Sequence, residues 1–239
     1  MAESAAGGVE RCGFVALIGA PNSGKSTLTN ALTCSKVAIV SPKVQTTRSL
    51  VRGIAIVGAS QLVFIDTPGI FAPRRRLDRA MVTAAWGGAR GADIVVPMID
   101  AKRGLGDEIG VILGKLAEVV QPKVLVLNKV DLVDKPSLLA LTKTANERAS
   151  FAATFMVAAL TGDGVADLRD WLAAHAPEGP WHYPADEVSD APLRHLAAEI
   201  TREKLYHKLH QELPYQSTVE TTAWQERGDG SVRIEHHYG

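Results

Sequence analysis

From Phe14 onward the chain alternates short apolar runs with amphipathic stretches, and no other feature constrains its fold as tightly. The apolar runs are Phe14–Ile18, Gly53–Val57, Leu62–Ile65, Ile94–Ile99, Val124–Leu127 and Phe155–Val157. Between several of them lie stretches with helical periodicity: Ser26–Thr33, Leu77–Gly88, Asp107–Val119, Ser137–Ala149 and Val165–Ala174. A buried strand followed by an amphipathic helix packs that helix back onto the sheet. Repetition of the unit therefore predicts an α/β fold, a mostly parallel sheet with helices on both faces. Pro97 is expected to disturb the run Ile94–Ile99, because a central strand wants a donor at every position.

The last quarter of the chain reads differently. Ala176 to Asp190 carries Pro177, Gly179, Pro180 and Pro184 and has the composition of a linker. Pro192–Leu213 is a helix candidate, with Pro192 at the first helical position and Leu193, Leu196, Ala197 and Ile200 on one face. A short extended run, Ser217–Thr222, follows. The expected organisation is a flexible N-terminus over 1–12, an α/β domain over 13–176, a linker over 177–191 and a small α+β segment over 192–239.

Formal charge is zero across 239 residues, so no global field marks a polyanionic partner, and DNA is not expected as one. Two cysteines, Cys12 and Cys34, are too few for a disulfide framework. The seven histidines are scattered and suggest no metal site. The first residues lack the basic start and apolar stretch of a secretion signal, and no apolar run approaches the roughly 18–20 residues of a membrane span. A soluble, cytoplasmic protein is expected.

Three motifs carry chemistry. Gly19-Ala20-Pro21-Asn22-Ser23-Gly24-Lys25-Ser26 matches G-x-x-x-x-G-K-[ST], between an apolar run and a helix. Its glycines let backbone amides wrap a polyphosphate, and the helix N-terminus adds partial positive charge. Lys25 is expected to bridge the terminal phosphates, and Ser26, followed by Thr27, to ligate Mg²⁺. Asp66-Thr67-Pro68-Gly69 ends the third apolar run with a carboxylate and then breaks the chain. Asp66 suits the same metal, and the Gly69 amide suits a sensor of the terminal phosphate. Thr47, rather than its neighbour Thr46, is the choice for a hydroxyl that completes the metal site. Finally, Asn128-Lys129-Val130-Asp131 closes the run Val124–Leu127. One ionised Asp131 accepts from both adjacent donors on a guanine edge, whereas adenine would leave the charge unpaired. Asn128 is placed to tie this loop to the first, and the Lys129 stem to cover the base. The three together point to GTP and GDP, with Mg²⁺, as ligands.

With these motifs in view, the chain resembles the Era family of bacterial ribosome-assembly GTPases. The resemblance rests on the three motifs together with Ser41-Pro-Lys-Val-Gln-Thr-Thr-Arg48, and on Ile200-Thr-Arg-Glu-Lys-Leu205 with Glu212-Leu-Pro-Tyr215. It runs from about Gly13 to Glu235 and implies a P-loop NTPase G domain followed by a KH-like segment. It implies GTP hydrolysis coupled to the small ribosomal subunit and its 16S rRNA, with peripheral membrane association as a further expectation. It also aligns Ala158, Ala159 and Leu160 with the family's guanine loop, where Ala158 replaces a serine. The Ala159 amide is expected to meet the guanine oxygen. Asn22 stands where relatives hold a K⁺ ion beside the phosphates, so K⁺ joins the expected cofactors.

Lys25, Thr47, Gly69 and Asn22 are thus the catalytic candidates. Ile70 replaces the water-orienting glutamine of many small GTPases, and no arginine finger is evident beyond Arg48 and Arg74–Arg76. Turnover is expected to be slow, since a missing finger costs on the order of 10³–10⁵ in rate. The alternative is a GTP/GDP-binding interaction protein with impaired cycling and no RNA clamp. Weak rRNA binding is expected because acidic residues outnumber basic ones from Asp190 onward and no Gly-x-x-Gly loop follows a helix there. The Pro192–Leu213 helix is further expected to lack the strands that cover its apolar face.

Overall fold

The computed structural model describes residues 9–38, 40, 51–71, 76–189, 193–208, 219–228 and 231–238. Six strands, β1 (Arg11–Gly19), β2 (Val51–Val57), β3 (Ser60–Asp66), β4 (Ile94–Asp100), β5 (Val124–Asn128) and β6 (Ala153–Val157), form one sheet in the order β2-β3-β1-β4-β5-β6. All pairings are parallel except β2 with β3, which is a hairpin. The helices are α1 (Lys25–Thr33), α2 (Arg76–Arg90), α3 (Asp107–Leu116), α4 (Lys135–Arg148) and α5 (Val165–His175). β3 and β4 are buried along their whole length, as expected of strands covered on both faces.

Alternation along β1 divides the core. Ala16 and Ile18 join Trp86, Ile112, Leu113 and Leu127 under α2, α3 and α4. Val15 and Leu17 join Leu28, Leu32, Leu168 and Leu172 under α1 and α5. Each fully buried side chain of this size contributes about 1.5–3 kcal/mol of transfer free energy, which anchors the sheet whose C-terminal edge carries the motifs.

Pro97 does not break β4. The strand runs unbroken from Ile94 to Asp100 between β1 and β5, and Pro97 pairs in register with Ile18. Its effect falls on the other side. Val95 meets β5 as an isolated bridge to Lys123, and the ladder resumes only at Met98↔Val126. The missing N–H is absorbed by one gap in the ladder, and the strand stays buried along its whole length.

Three further expectations change. β1 begins at Arg11, inside the stretch read as flexible. The proline-rich stretch is strapped to the sheet instead of hanging free. Gln61 donates from Nε2 to the Tyr183 carbonyl, and its Oε1 accepts the amides of His182 and Tyr183. Trp181 Nε1 donates to the Ala59 carbonyl, and the Ile54 amide to Val188. The C-terminal helix α6 (Leu193–Lys208) is not left uncovered. It packs on a hairpin of β7 (Val219–Glu226) and β8 (Val232–Tyr238), where Thr221 Oγ1 donates to the Arg194 carbonyl at 2.7 Å. Residues 209–218, including all of Glu212–Tyr215, lie outside the described residues.

Candidate functional site

The chain leaves β1 at Gly19 and enters α1 at Lys25. Asn22 (φ 62°) and Gly24 (φ 97°) take left-handed backbone conformations, which folds the intervening loop into a compact turn. At Gly24 a side chain is excluded twice, by φ and because a Cβ would fall 2.2 Å from Asn128 Nδ2.

Every carbonyl from Gly19 to Ser23 accepts a hydrogen bond. The Ile70 amide and Lys25 Nζ reach Gly19 at 2.9 and 3.2 Å, and Lys25 Nζ also reaches Ala20 at 3.0 Å. Arg103 Nη1 holds Pro21 at 3.3 Å, Lys129 Nζ holds Asn22 at 2.8 Å and Asn128 Nδ2 holds Ser23 at 2.9 Å. A loop whose carbonyls are all occupied from the flanks is polarised, so its amides are its means of recognising an anion.

Lys25 is buried, and its ammonium is pulled down to about 8 by that burial, partly offset by the Asp66 carboxylate. Ser26, in the first turn of α1, donates from Oγ to Asp66 Oδ2 at 2.7 Å. Asp66 ends β3 at 0% exposure. Thr67 is also buried and donates from Oγ1 to the Leu17 carbonyl, so the chain turns sharply over β1. At Gly69 a Cβ would lie 2.9 Å from Pro21, so only glycine lets the segment lie this close to the phosphate loop. Ile70 is buried in the core and faces no solvent, which accounts for an apolar residue at that position. Ser23 is buried as well, and Thr27 is half-buried on α1.

The base end is organised by Asn128. Its Nδ2 holds the phosphate loop, and its Oδ1 accepts the Ala159 amide at 3.0 Å. That amide, expected to meet a guanine oxygen, is thus engaged with Asn128 here. Lys129 caps a short 3-10 helix, Val130–Leu132, from a left-handed conformation (φ 64°). Its ammonium bonds Asp100 Oδ2 at 2.6 Å as well as the Asn22 carbonyl, which draws its stem across the mouth of the site. Asp131 is exposed, with no hydrogen bond or ion pair to the described residues. Ala158 and Ala159 are buried, and Leu160 is 88% exposed at the rim.

The structure thus brings Gly19–Ser26, Asp66, Gly69, Asn128, Lys129 and Ala159 together at one edge of the sheet. Thr46, Thr47, Arg48, Arg74 and Arg75 lie outside the described residues, and Arg76 opens α2, exposed. Sequence reasoning missed Asp100 and Arg103. Asp100 is buried, pairs with Lys129 and accepts the Lys102 amide at 3.0 Å, which positions the loop bearing Arg103. The signal was available: Asp100 ends the run Ile94–Ile99 as Asp66 ends Leu62–Ile65.

The donor set fits a magnesium-bound polyphosphate. Hard oxygens of Ser26 and Asp66 meet at a helix N-terminus, beside a buried lysine whose ammonium rests on the Gly19 and Ala20 carbonyls.

Comparison with known proteins agrees. Residues 14–129 match the family model described as 50S ribosome-binding GTPase. GTPase Era of Bradyrhizobium sp. (strain ORS 278) is 66% identical over 98% of this chain and 76% of its own length. GTPase Era of Rhizobium meliloti is 63% identical over 98% of this chain and 75% of its own length. A crystal structure of Era with MgGDPNP and nucleotides 1506–1542 of 16S ribosomal RNA superposes with a TM-score of 0.89 at 32% identity, covering 96% of this chain and 78% of that one. Aquifex aeolicus Era bound to GDP·AlF4⁻ gives a TM-score of 0.88 at 32% identity, covering 95% and 78%. With relatives this similar over nearly its whole length, the chain belongs to the Era family of GTPases.

Proposed function

We propose that this GTPase is a slow, Mg²⁺-dependent switch acting at the small ribosomal subunit. The observation that carries the reading is the polarised phosphate loop, with five successive carbonyls occupied and Lys25 held against two of them. Lys25 exchanges these carbonyls for phosphate oxygens when nucleotide binds, an exchange favoured because burial leaves its ammonium poorly solvated. Ser26, Asp66 and Thr47 hold Mg²⁺, which when bound offsets charge on the phosphates. Gly69 offers its amide to the terminal phosphate. Asp131 reads the guanine edge, while Lys129 and Leu160 flank the base. With Ile70 in the core, the attacking water is oriented by backbone groups, and since the sequence offers no arginine finger beyond the candidates Arg48 and Arg74–Arg76, turnover is slow. Asn22, at the crest of the loop, is the residue for K⁺.

The partner supported by the solved relative is 16S rRNA, in the segment of nucleotides 1506–1542. Residues 193–238 contribute weakly to that contact. Two of their cations are already committed, Arg202 to Glu199 and Arg233 to Glu235. Among the described residues no helix is long and apolar enough to cross a membrane, and a cytoplasmic location is in keeping with ribosomal work.

Phosphate release under single-turnover conditions tests the reading. Lys25→Ala should lower the rate by about 10²-fold or more, the usual effect of removing a preorganised electrostatic contact. Wild-type turnover should be faster in K⁺ than in Na⁺, and Asn22→Ala should erase the difference. A Lys25→Ala variant with wild-type turnover would sink the assignment, and equal wild-type rates in the two salts would remove K⁺.

A further inference from the structure

One buried carboxylate of the C-terminal helix reaches the α/β domain at two points. Glu203, on α6, is 4% exposed. Its Oε1 accepts the Val40 amide at 3.0 Å, and its Oε2 pairs with Lys36 Nζ. Burial pushes this carboxyl up, but the hydrogen bonds from Lys36 and Val40 outweigh it and hold the group below the usual range.

The other end of the contact is built onto α1. Asn30 accepts the amides of Val37 and Ala38 on Oδ1, at 3.0 and 2.9 Å, and donates from Nδ2 to the Ala38 carbonyl at 2.8 Å. These bonds fix the turn after α1 as a rigid extension of the helix. Asn30 lies one helical turn beyond Ser26, on the same face. A continuous path therefore runs from Ser26 and Asp66 along α1 to Asn30, through the turn to Lys36 and Val40, and into Glu203.

We infer that Glu203 is a positioning residue that couples the state of the nucleotide site to α6 and the hairpin packed on it. The inference rests on the reading of Ser26 and Asp66 as magnesium ligands. Engagement of Ser26 by the metal changes its contact with Asp66, the first bond of the path. The helix then carries the displacement to the turn. Glu203 grips that turn at two points, one backbone and one side chain, so α6 follows it. Coupling is reciprocal, so a ligand that holds α6 also biases nucleotide affinity.

The test is amide hydrogen exchange over residues 193–226 in the full chain. It is saturated with a non-hydrolysable GTP analogue, once in EDTA and once with Mg²⁺, so that the two states differ at Ser26 and Asp66. Wild type should show different protection of α6 in the two states. Glu203→Ala should lose that difference while nucleotide affinity stays within about twofold, because Glu203 touches no residue of the site. Glu203→Gln, which keeps an acceptor for Val40, should retain part of it. Lys36→Met, in a more exposed position, should halve it and keeps the test alive if Glu203→Ala does not fold. A purely structural role would lower the melting temperature and leave the difference between states intact, which would overturn the inference. So would equal α6 protection in the two saturated wild-type states. Absence of any nucleotide titration in wild type would instead remove the nucleotide reading and the coupling with it.

Discussion

The sheet domain and the C-terminal segment are held together by opposite means. In the first, whole strands and the inner faces of five helices are apolar and buried, on both sides of the sheet. In the second, Ala198 is the one apolar side chain buried among the described residues, while Arg202 and Glu203 are the polar ones. Val232, Ile234 and Tyr238 of β8 are 41%, 36% and 56% exposed. A region held by burial has one well-packed arrangement. A region held by a few charged contacts re-docks at low cost, which suits a part that must respond to a switch.

The comparison breaks or stands first on stability. Leu168→Ala, at a fully buried position on α5, should cost 2–5 kcal/mol in urea unfolding, roughly 30- to several-thousand-fold in the folding equilibrium. Ile234→Ala on β8 should cost less than about 1 kcal/mol, because the side chain is already partly in water. Equal losses would mean that the hairpin packs as tightly as the domain.

The second effect contrasts the two ends of the nucleotide site. The phosphate loop is held by hydrogen bonds to each of its carbonyls, whereas Asp131 is exposed. Asp131→Asn should therefore leave the fold untouched and change only base choice. Loss of a paired, charge-assisted contact should weaken GTP by about 10²-fold and favour xanthosine triphosphate, whose carbonyl needs a donor. Competition between the two triphosphates measures it, and a variant that still prefers GTP would displace Asp131 from its role.

Both ends were legible in the sequence because their motifs are short and continuous, each closing an apolar run. The sheet was legible for the same reason: Leu62–Ile65 and Val124–Leu127 are hydrophobic without interruption and admit little else. What stayed hidden depends on contacts distant in sequence. Asp100 looked like any strand-end carboxylate until Lys129 folded onto it. The strap over Gln61 needed a buried glutamine 121 and 122 residues from its backbone partners. The strand β8, Val232–Tyr238, carries an alternating pattern, but its histidines and charges masked the period because neither face is deeply buried.

A third effect, about tenfold, follows from Lys25. Burial pulls its ammonium down from the usual 10.5 to about 8, with the Asp66 carboxylate opposing the shift. Phosphate favours the charged form, so above pH 8 nucleotide binding must take up a proton. Affinity for GDP should be level up to about pH 7.5 and then fall by up to tenfold per pH unit. For stability the sign is opposite. Between about 8 and 10.5 the unfolded chain binds the proton that the folded one has shed, so this group's contribution rises with pH across that window. Titrations at pH 7, 8 and 9, with unfolding curves at the same values, check both. Affinity that does not change between pH 7 and 9 would show that Lys25 remains charged in the empty site.

The smallest effect lies at Ala158. Its amide accepts no ligand role here, being bonded to the Asp163 carbonyl at 3.0 Å, and its own carbonyl accepts the Thr161 and Gly162 amides at 3.1 and 2.9 Å. The backbone of the guanine loop is thus fixed without help from the side chain, which is 1% exposed. The family's guanine loop carries a serine at this position, and its hydroxyl is expected to steady the Asp131 carboxylate. One such hydrogen bond is worth about 0.5–1.5 kcal/mol, so Ala158→Ser should tighten GDP binding by roughly two- to tenfold. The gain should vanish in an Asp131→Asn background, because the added hydroxyl acts through that carboxylate. A double-mutant cycle on GDP affinity separates the two possibilities. An equal gain with and without Asp131 would mean that the serine acts on the loop itself, and an unchanged affinity in the single variant would show that the loop is already as well ordered as its family's serine could make it.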